Sequence, residues 1–364
     1  MNKELLFHIA LTLVKGIGPV NAKKLVAYCG GVEAVFKEKL KAIEKIPNVG
    51  RSLAKEINQK SYKIRAEKEI KFIQKHAINY HSFWSENYPN KLRHCHDAPT
   101  LLFSKGNFDI NRDRFISIVG TRKATPYGQS FCKALIKELK VYDPIIVSGL
   151  AYGIDKCAHK ESLNNDIFTL GVLAHGLDTL YPKTHTKLVS QMIQKGGLIT
   201  EFLSDTKIIR ENFVRRNRII AGLSEATIVL ESGLKGGAMV TAKMANSYNR
   251  EVFALPGKIS DPYSKGCNCL IKNNEAHLLT NISDLVNNLL WDKKSKTLQH
   301  NLFENTKEEI ELIDIISNHN GIHIDLIHSL SKLTFNETNR VLMNLELKDL
   351  ILLKPGKIYF KNFN

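Results

Sequence analysis

The chain has 364 residues, too many for one ordinary hydrophobic core, so two or three domains are expected. Hydrophobic residues make up 43%, and no apolar run approaches the roughly 18 to 20 residues of a membrane span. The composition therefore predicts a globular, cytoplasmic protein with no membrane span and no signal peptide.

The formal net charge is +16, and it is uneven. Residues 1–100 hold 18 Lys/Arg against 9 Asp/Glu, residues 101–250 hold 21 against 13, and residues 301–364 hold 7 against 9. Such an excess suits a polyanionic partner, although solvated lysine faces also produce it. The six cysteines are scattered without disulfide-framework or zinc spacing, and the Cys267-x-Cys269 pair reads as ordinary reduced thiols.

Taken in chain order, residues 1–105 predict helices over 5–15, 21–29, 31–36, 39–43, 50–58 and 62–76. Two of their turns are alike. Gly16-Ile17-Gly18-Pro19 precedes NAKKLVAYC, and Ile46-Pro47-Asn48-Val49-Gly50 precedes RSLAKEIN. Each leaves free helix N-terminal amides beside lysine or arginine and resembles a helix-hairpin-helix turn. A phosphate grip and plain helix packing both fit.

Residues 106–290 alternate short Val/Ile-rich strands (115–119, 145–147, 167–173, 198–200, 227–230, 251–254) with helices (128–140, 154–163, 185–195, 213–223, 238–248). This pattern predicts an α/β domain, a Rossmann-like, doubly wound and mostly parallel sheet whose ligand binds at the strands' carboxyl ends. Residues 291–306 read as a linker. Residues 307–364 predict three helices and a hairpin around Pro355-Gly356, the pattern of a winged helix, but their acidity argues against duplex reading.

The strand ends carry glycine-bearing loops: Gly120-Thr121-Arg122-Lys123, Ser148-Gly149-Leu150-Ala151-Tyr152-Gly153-Ile154-Asp155, Ala174-His175-Gly176, and Glu231-Ser232-Gly233-Leu234-Lys235-Gly236-Gly237. Side by side they would form an anion-binding floor. Neither the dinucleotide fingerprint nor a P-loop is present, since Arg122 stands where the second glycine belongs. No cofactor is expected. Asp155 and His159 lack a nucleophile partner, Asp155 suits its helix dipole, and His175 reads as structural.

What remains is charge placed to hold. Arg215 and Arg218 share a helix face and Arg216 points about 100° away from Arg215. With Arg122, Lys123 and Lys235 they would converge above the sheet, or one of them would pair with an acid in a structural network. Phe213 and Tyr152 are candidate base-stacking faces, and core packing is the competing role of Phe213.

The stretches Ile118-Val-Gly-Thr-Arg122, Ser148 to Asp155, Phe213-Val-Arg-Arg-Asn-Arg-Ile-Ile-Ala-Gly-Leu-Ser224, Phe253-Ala-Leu-Pro-Gly257 and Lys265-Gly-Cys-Asn-Cys-Leu-Ile271 closely resemble the DNA-processing protein A (DprA/Smf) family. The resemblance covers about residues 115–280. It implies a non-catalytic, homodimeric protein that binds single-stranded DNA in a basic pocket and helps load the RecA recombinase in natural transformation. The pocket it implies maps onto Arg122, Arg216, Arg218, Lys235, Gly236 and Gly237, beside Gly120, Lys123, Gly149 and Arg215 from the loop reading. The family's glycine turn reads nearer Ser-Gly-Ser, whereas Lys-Gly-Gly-Ala stands here. A rival class is an enzyme that cleaves nucleotide phosphoribosyl bonds on a related glycine-rich α/β fold, a phosphoribohydrolase.

Overall fold

The computed structural model describes residues 3–47, 49–57, 59–292, 306–319, 321–348 and 350–362. It divides into two compact units, Met1–Lys293 and Lys294–Asn364.

The first unit is built on nine strands: β1 Asn79–Ser82, β2 Leu101–Asn107, β3 Phe115–Val119, β4 Ile145–Ser148, β5 Thr169–Val172, β6 Gly196–Thr200, β7 Ala226–Val229, β8 Glu251–Ala254 and β9 His277–Leu278. Their order across the sheet is β1-β2-β6-β5-β4-β3-β7-β8-β9. From β6 to β9 all neighbours are parallel, while β2 pairs antiparallel with β6 and with β1.

The central strands are apolar because both faces are covered. In β3, Phe115 and Val119 pack in one layer with the helices Arg210–Leu223 and Gly237–Ser247. Ile116 and Ile118 alternate into the opposite layer, with Pro126–Leu139 and Ile154–Asn164. Ser117, fully buried, is satisfied by donating to the Ile220 carbonyl at 2.7 Å. The mostly parallel, doubly wound sheet is thus present as expected.

The segment 1–105, read as helical, also contains β1 and most of β2, which runs across its end to Asn107. Their alternation is hidden because two buried positions are polar and pair with each other: His81 Nε2 lies 2.8 Å from Ser104 Oγ. The helices preceding Ile78 share one core with Leu101, Phe103 and Leu203, so no break in packing falls at residue 105. Trp291, read as the start of a linker over 291–306, instead packs into the first unit: it is buried and its indole N–H donates to Glu225 at 3.2 Å. Residues 293–305 of that expectation lie outside the described residues.

The second unit has helices Lys307–Ser317, Ile324–Leu330 and Phe335–Leu347 and a three-stranded sheet ordered β10-β12-β11, with β10 Ile322–His323, β11 Ile351–Lys354 and β12 Ile358–Lys361. Capping boxes start its first and third helices, Thr306 with Glu309 and Thr334 with Glu337. Leu312, Ile316, Ile327, Leu342, Leu345 and Ile351 form its own core.

Candidate nucleic-acid interface

All the parallel strands end along one edge, and beside β3 the winding reverses. The chain proceeds from β3 through β4, β5 and β6, then crosses back to β7 on the other side of β3. Loops leaving the two halves diverge there and open a crevice. A cleft of about 760 Å³ occupies it, lined by Gly120, Arg122 and Lys123 after β3, Ala151 and Asp155 after β4, and Lys235, Gly236 and Gly237 after β7. The helix Arg210–Leu223 adds Arg210, Phe213, Arg216 and Asn217.

Two devices fix the Arg122 loop. Glu231, buried just past β7, accepts from Thr125 N at 2.9 Å and Thr125 Oγ1 at 2.5 Å, and its carbonyl accepts from Thr121 N at 2.7 Å. Gly153, at φ 75°, lets the next helix start directly under the loop; a Cβ there would lie 2.2 Å from the Thr121 carbonyl oxygen. Arg122 and Lys123 consequently stand exposed at an anchored tip.

After β7 the chain turns tightly, with Gly236 N donating to the Gly233 carbonyl at 2.9 Å. The Gly236 amide is therefore engaged within the turn, contrary to its expected role as a free donor. The helix Gly237–Ser247 has no side-chain cap, so the amides of Gly237 and Ala238 have no intrahelical acceptor, and the helix's positive end faces the cleft. Exposed Lys235 stands beside it. Arg122, Lys123, Arg210 and Lys235 carry no ion pair among the described residues.

The other three arginines differ from the expectation that they meet phosphates. Arg216 is 4% exposed; its Nη1 donates to the Gly149 carbonyl at 2.5 Å and also to the Val172 carbonyl. Gly149 is closed as well: its N–H donates to Asp155 Oδ2 at 3.1 Å, and a Cβ on it would meet the Arg216 guanidinium at 2.6 Å. Arg218 is 5% exposed, donates to Glu201 Oε2 at 2.5 Å and to the Asp97 carbonyl, and does not line the cleft. Arg215, half-exposed, donates to the same Glu201 oxygen at 2.6 Å on the helix's far side. The physical reason is tertiary. Carbonyls at the ends of β4 and β5 and a buried glutamate take up the charge that helical spacing alone left free.

Burial pulls the Arg216 guanidinium down to about 10, against the opposing charge of Asp155, so it stays cationic at neutral pH. Burial also raises the Asp155 carboxyl, opposed by Arg216 and by amides such as that of Ala151. Asp155 and Glu231 thus use their oxygens on backbone groups, which makes them braces. His175 is buried, with Nδ1 donating to the Gly176 carbonyl at 2.9 Å, and His159, also buried, has Nδ1 2.7 Å from Thr169 Oγ1.

Phe213 is partly buried, with the Arg122 guanidinium 5.7 Å and the Arg216 guanidinium 5.9 Å from its ring centre. Tyr152 lines an adjoining recess with Tyr181 and Pro182 that also includes Arg122 and Phe213. The two predicted stacking residues are therefore brought together around Arg122. Arg210, Asn217 and Glu231 were not predicted; the spacing of Arg210, Phe213 and Asn217, at i, i+3 and i+7, marks the cleft face of the helix.

A doubly wound α/β protein with exposed cations and helix amides converging at its switch point has the layout in which that fold receives anionic ligands. The family model described as DNA recombination-mediator protein A matches residues 79–290, and the chain belongs to that family. The match begins at β1, in agreement with the sheet. The chain is 39% identical to Protein Smf of Escherichia coli (strain K12) over 206 residues, 56% of this chain and 55% of that protein, so it spans about half of that relative. It is 33% identical to Protein Smf of Synechocystis over 286 residues, 77% of this chain and 71% of that one. Among solved structures it is similar to DNA processing protein A from Streptococcus pneumoniae, with a TM-score of 0.67 and 30% identity over 78% of this chain and 97% of that one. DNA processing protein A from Helicobacter pylori, described for its unique single-stranded DNA binding mode, gives a TM-score of 0.53 and 30% identity over 58% of this chain and 96% of that one. Among the described residues no helix is long and apolar enough to cross a membrane.

Proposed function

We propose that the cleft holds the backbone of single-stranded DNA and that the protein acts as a non-catalytic strand-binding mediator. The observation that carries this reading is the meeting of four exposed, unpaired cations, Arg122, Lys123, Arg210 and Lys235, at the uncapped start of the helix Gly237–Ser247. Side-chain cations would neutralise phosphates, and the Gly237 and Ala238 amides would fix one of them in place. Phe213 and Tyr152 offer faces to unpaired bases, which a duplex keeps stacked inside. Arg215, Arg216 and Arg218 anchor the helix that presents Arg210 and Phe213.

The family resemblance extends the proposal to a cytoplasmic homodimer that delivers the strand to the RecA recombinase. The hairpin turn before Pro19 is a further proposed backbone contact. Residues 307–364 are proposed to be a winged helix in a protein-contact role, given their acidity. Titrating equal-length single-stranded and duplex oligonucleotides at two salt concentrations tests the core of the reading. Tighter binding of the single strand is expected; equal or tighter binding of the duplex overturns it.

A further inference from the structure

A second recess lies across the first turn of the helix Arg210–Leu223 from the cleft. It has a volume of about 440 Å³, enough for a single nucleotide unit. Arg210 and Phe213 face the cleft, whereas Ile209, Asn212 and Arg215 line this recess. The two sets lie at the same level on different sides of one helix, roughly 10–12 Å across, so a strand held in the cleft reaches the recess by passing over that helix.

Glu201, immediately after β6, lines the recess, and its side chain is 2% exposed. Its Oε2 accepts from Arg215 and Arg218 at 2.6 and 2.5 Å. Its Oε1 is buried and has no hydrogen-bond partner among the described residues. Buried carboxylate oxygens are rarely left without a donor. The two arginines hold one oxygen and fix the side chain, so the wall of the recess contains a buried acceptor still without a donor.

The opposite wall supplies the complementary half. The uncapped start of the helix Pro19–Cys29 lies there, with Gly18, Pro19 and Ala22 lining the recess. Lys207 stands exposed on the same rim, and Arg215, half-exposed, lies 5.2 Å over the Phe202 ring. Asp205 also borders the recess, 3.9 Å from Arg65.

We infer that this recess is a nucleotide subsite in which Glu201 Oε1 accepts a hydrogen bond from a base's exocyclic amine while Lys207 on the rim neutralises its phosphate. The inference rests on the reading that a single strand lies in the cleft. It adds base preference to a contact otherwise made to the backbone. Cytosine, adenine and guanine carry an exocyclic amine; thymine and uracil offer on that edge only an N3–H flanked by two carbonyls, which a carboxylate repels.

The test uses the full chain and oligo(dC) and oligo(dU) of equal length, well above the pH at which cytosine takes up a proton. The two bases differ in the amine or carbonyl at C4 and in the proton that uracil carries on N3. Fluorescence anisotropy is expected to show oligo(dC) binding about fivefold tighter, as suits one hydrogen bond to a charged acceptor. In Glu201→Gln the amide oxygen keeps the arginines and the NH2 replaces Oε1, so the ratio should fall to one or invert. Lys235→Ala should weaken both oligonucleotides and leave the ratio intact. Equal wild-type affinities overturn the subsite, as does a Glu201→Gln protein that weakens both equally. Failure of either oligonucleotide to bind is a distinct result, and it removes the cleft reading itself.

Discussion

Charge removal at the cleft separates the exposed cations from the buried ones. Four side chains, Arg122, Lys123, Arg210 and Lys235, are free to meet phosphates. At about −0.7 per phosphate contact on a single strand, four contacts give a slope of log K on log salt near −3. Raising salt from about 0.05 to 0.2 M should then weaken binding roughly 50-fold. The double variant Arg122→Ala/Lys235→Ala leaves two contacts, for a slope near −1.4 and a loss of roughly 7-fold over the same range. Arg216→Met and Arg218→Met should leave the slope unchanged, because both guanidiniums are buried and committed to protein acceptors. The assay is anisotropy of a labelled oligonucleotide across a salt series, with circular dichroism to establish that each variant is folded. A flattened slope in folded Arg216→Met, or an unflattened one in the double variant, would refute the assignment.

Arg216→Met should instead lower stability by about 3 kcal/mol or more in urea unfolding, since it strands two carbonyls and removes the countercharge of buried Asp155. Burial lowers His159 from 6.5 to about 3, so the unfolded chain binds the extra proton in acid. That contribution is intact above pH 6.5 and is lost progressively as pH falls toward 3, about 2 kcal/mol by pH 5. The urea midpoint should drop over that window, and His159→Gln should flatten the drop. Gly153→Ala should push away the Thr121 carbonyl and displace the Arg122 loop, lowering strand affinity while Lys235 remains in place; unchanged affinity in a titration would contradict the anchoring. Thr334→Ala removes a capping box and should cost the C-terminal unit about 1 kcal/mol, read from its thermal transition.

The sheet was legible because the strands 115–119, 145–148 and 226–229 are buried on both faces and so read as Ile/Val-rich runs, each with only one small hydroxyl residue. The glycine loops were legible because close approaches such as that at Gly153 leave glycine in the sequence. β1 and β2 were not, as His81 and Ser104 satisfy each other inside the sheet and break the apolar alternation. The arginine run was half legible. Its helical spacing correctly set Arg215 and Arg218 on one face and Arg216 apart, but which face meets the cleft depends on Glu201 and on the Gly149 and Val172 carbonyls, all distant in sequence. Arg210 escaped notice because it lies before the apolar stretch.

The helix Arg210–Leu223 works as a key whose cuts face different wards: Arg210, Phe213 and Asn217 on one side, Arg215 and Arg218 on another, Arg216 between carbonyls below. Adding or deleting one residue near its start would turn everything upstream by about 100° against everything downstream. The cleft face would then be aimed away from Lys235 even though every residue of the run survived. The length of this segment, as much as its composition, should thus be intolerant of change.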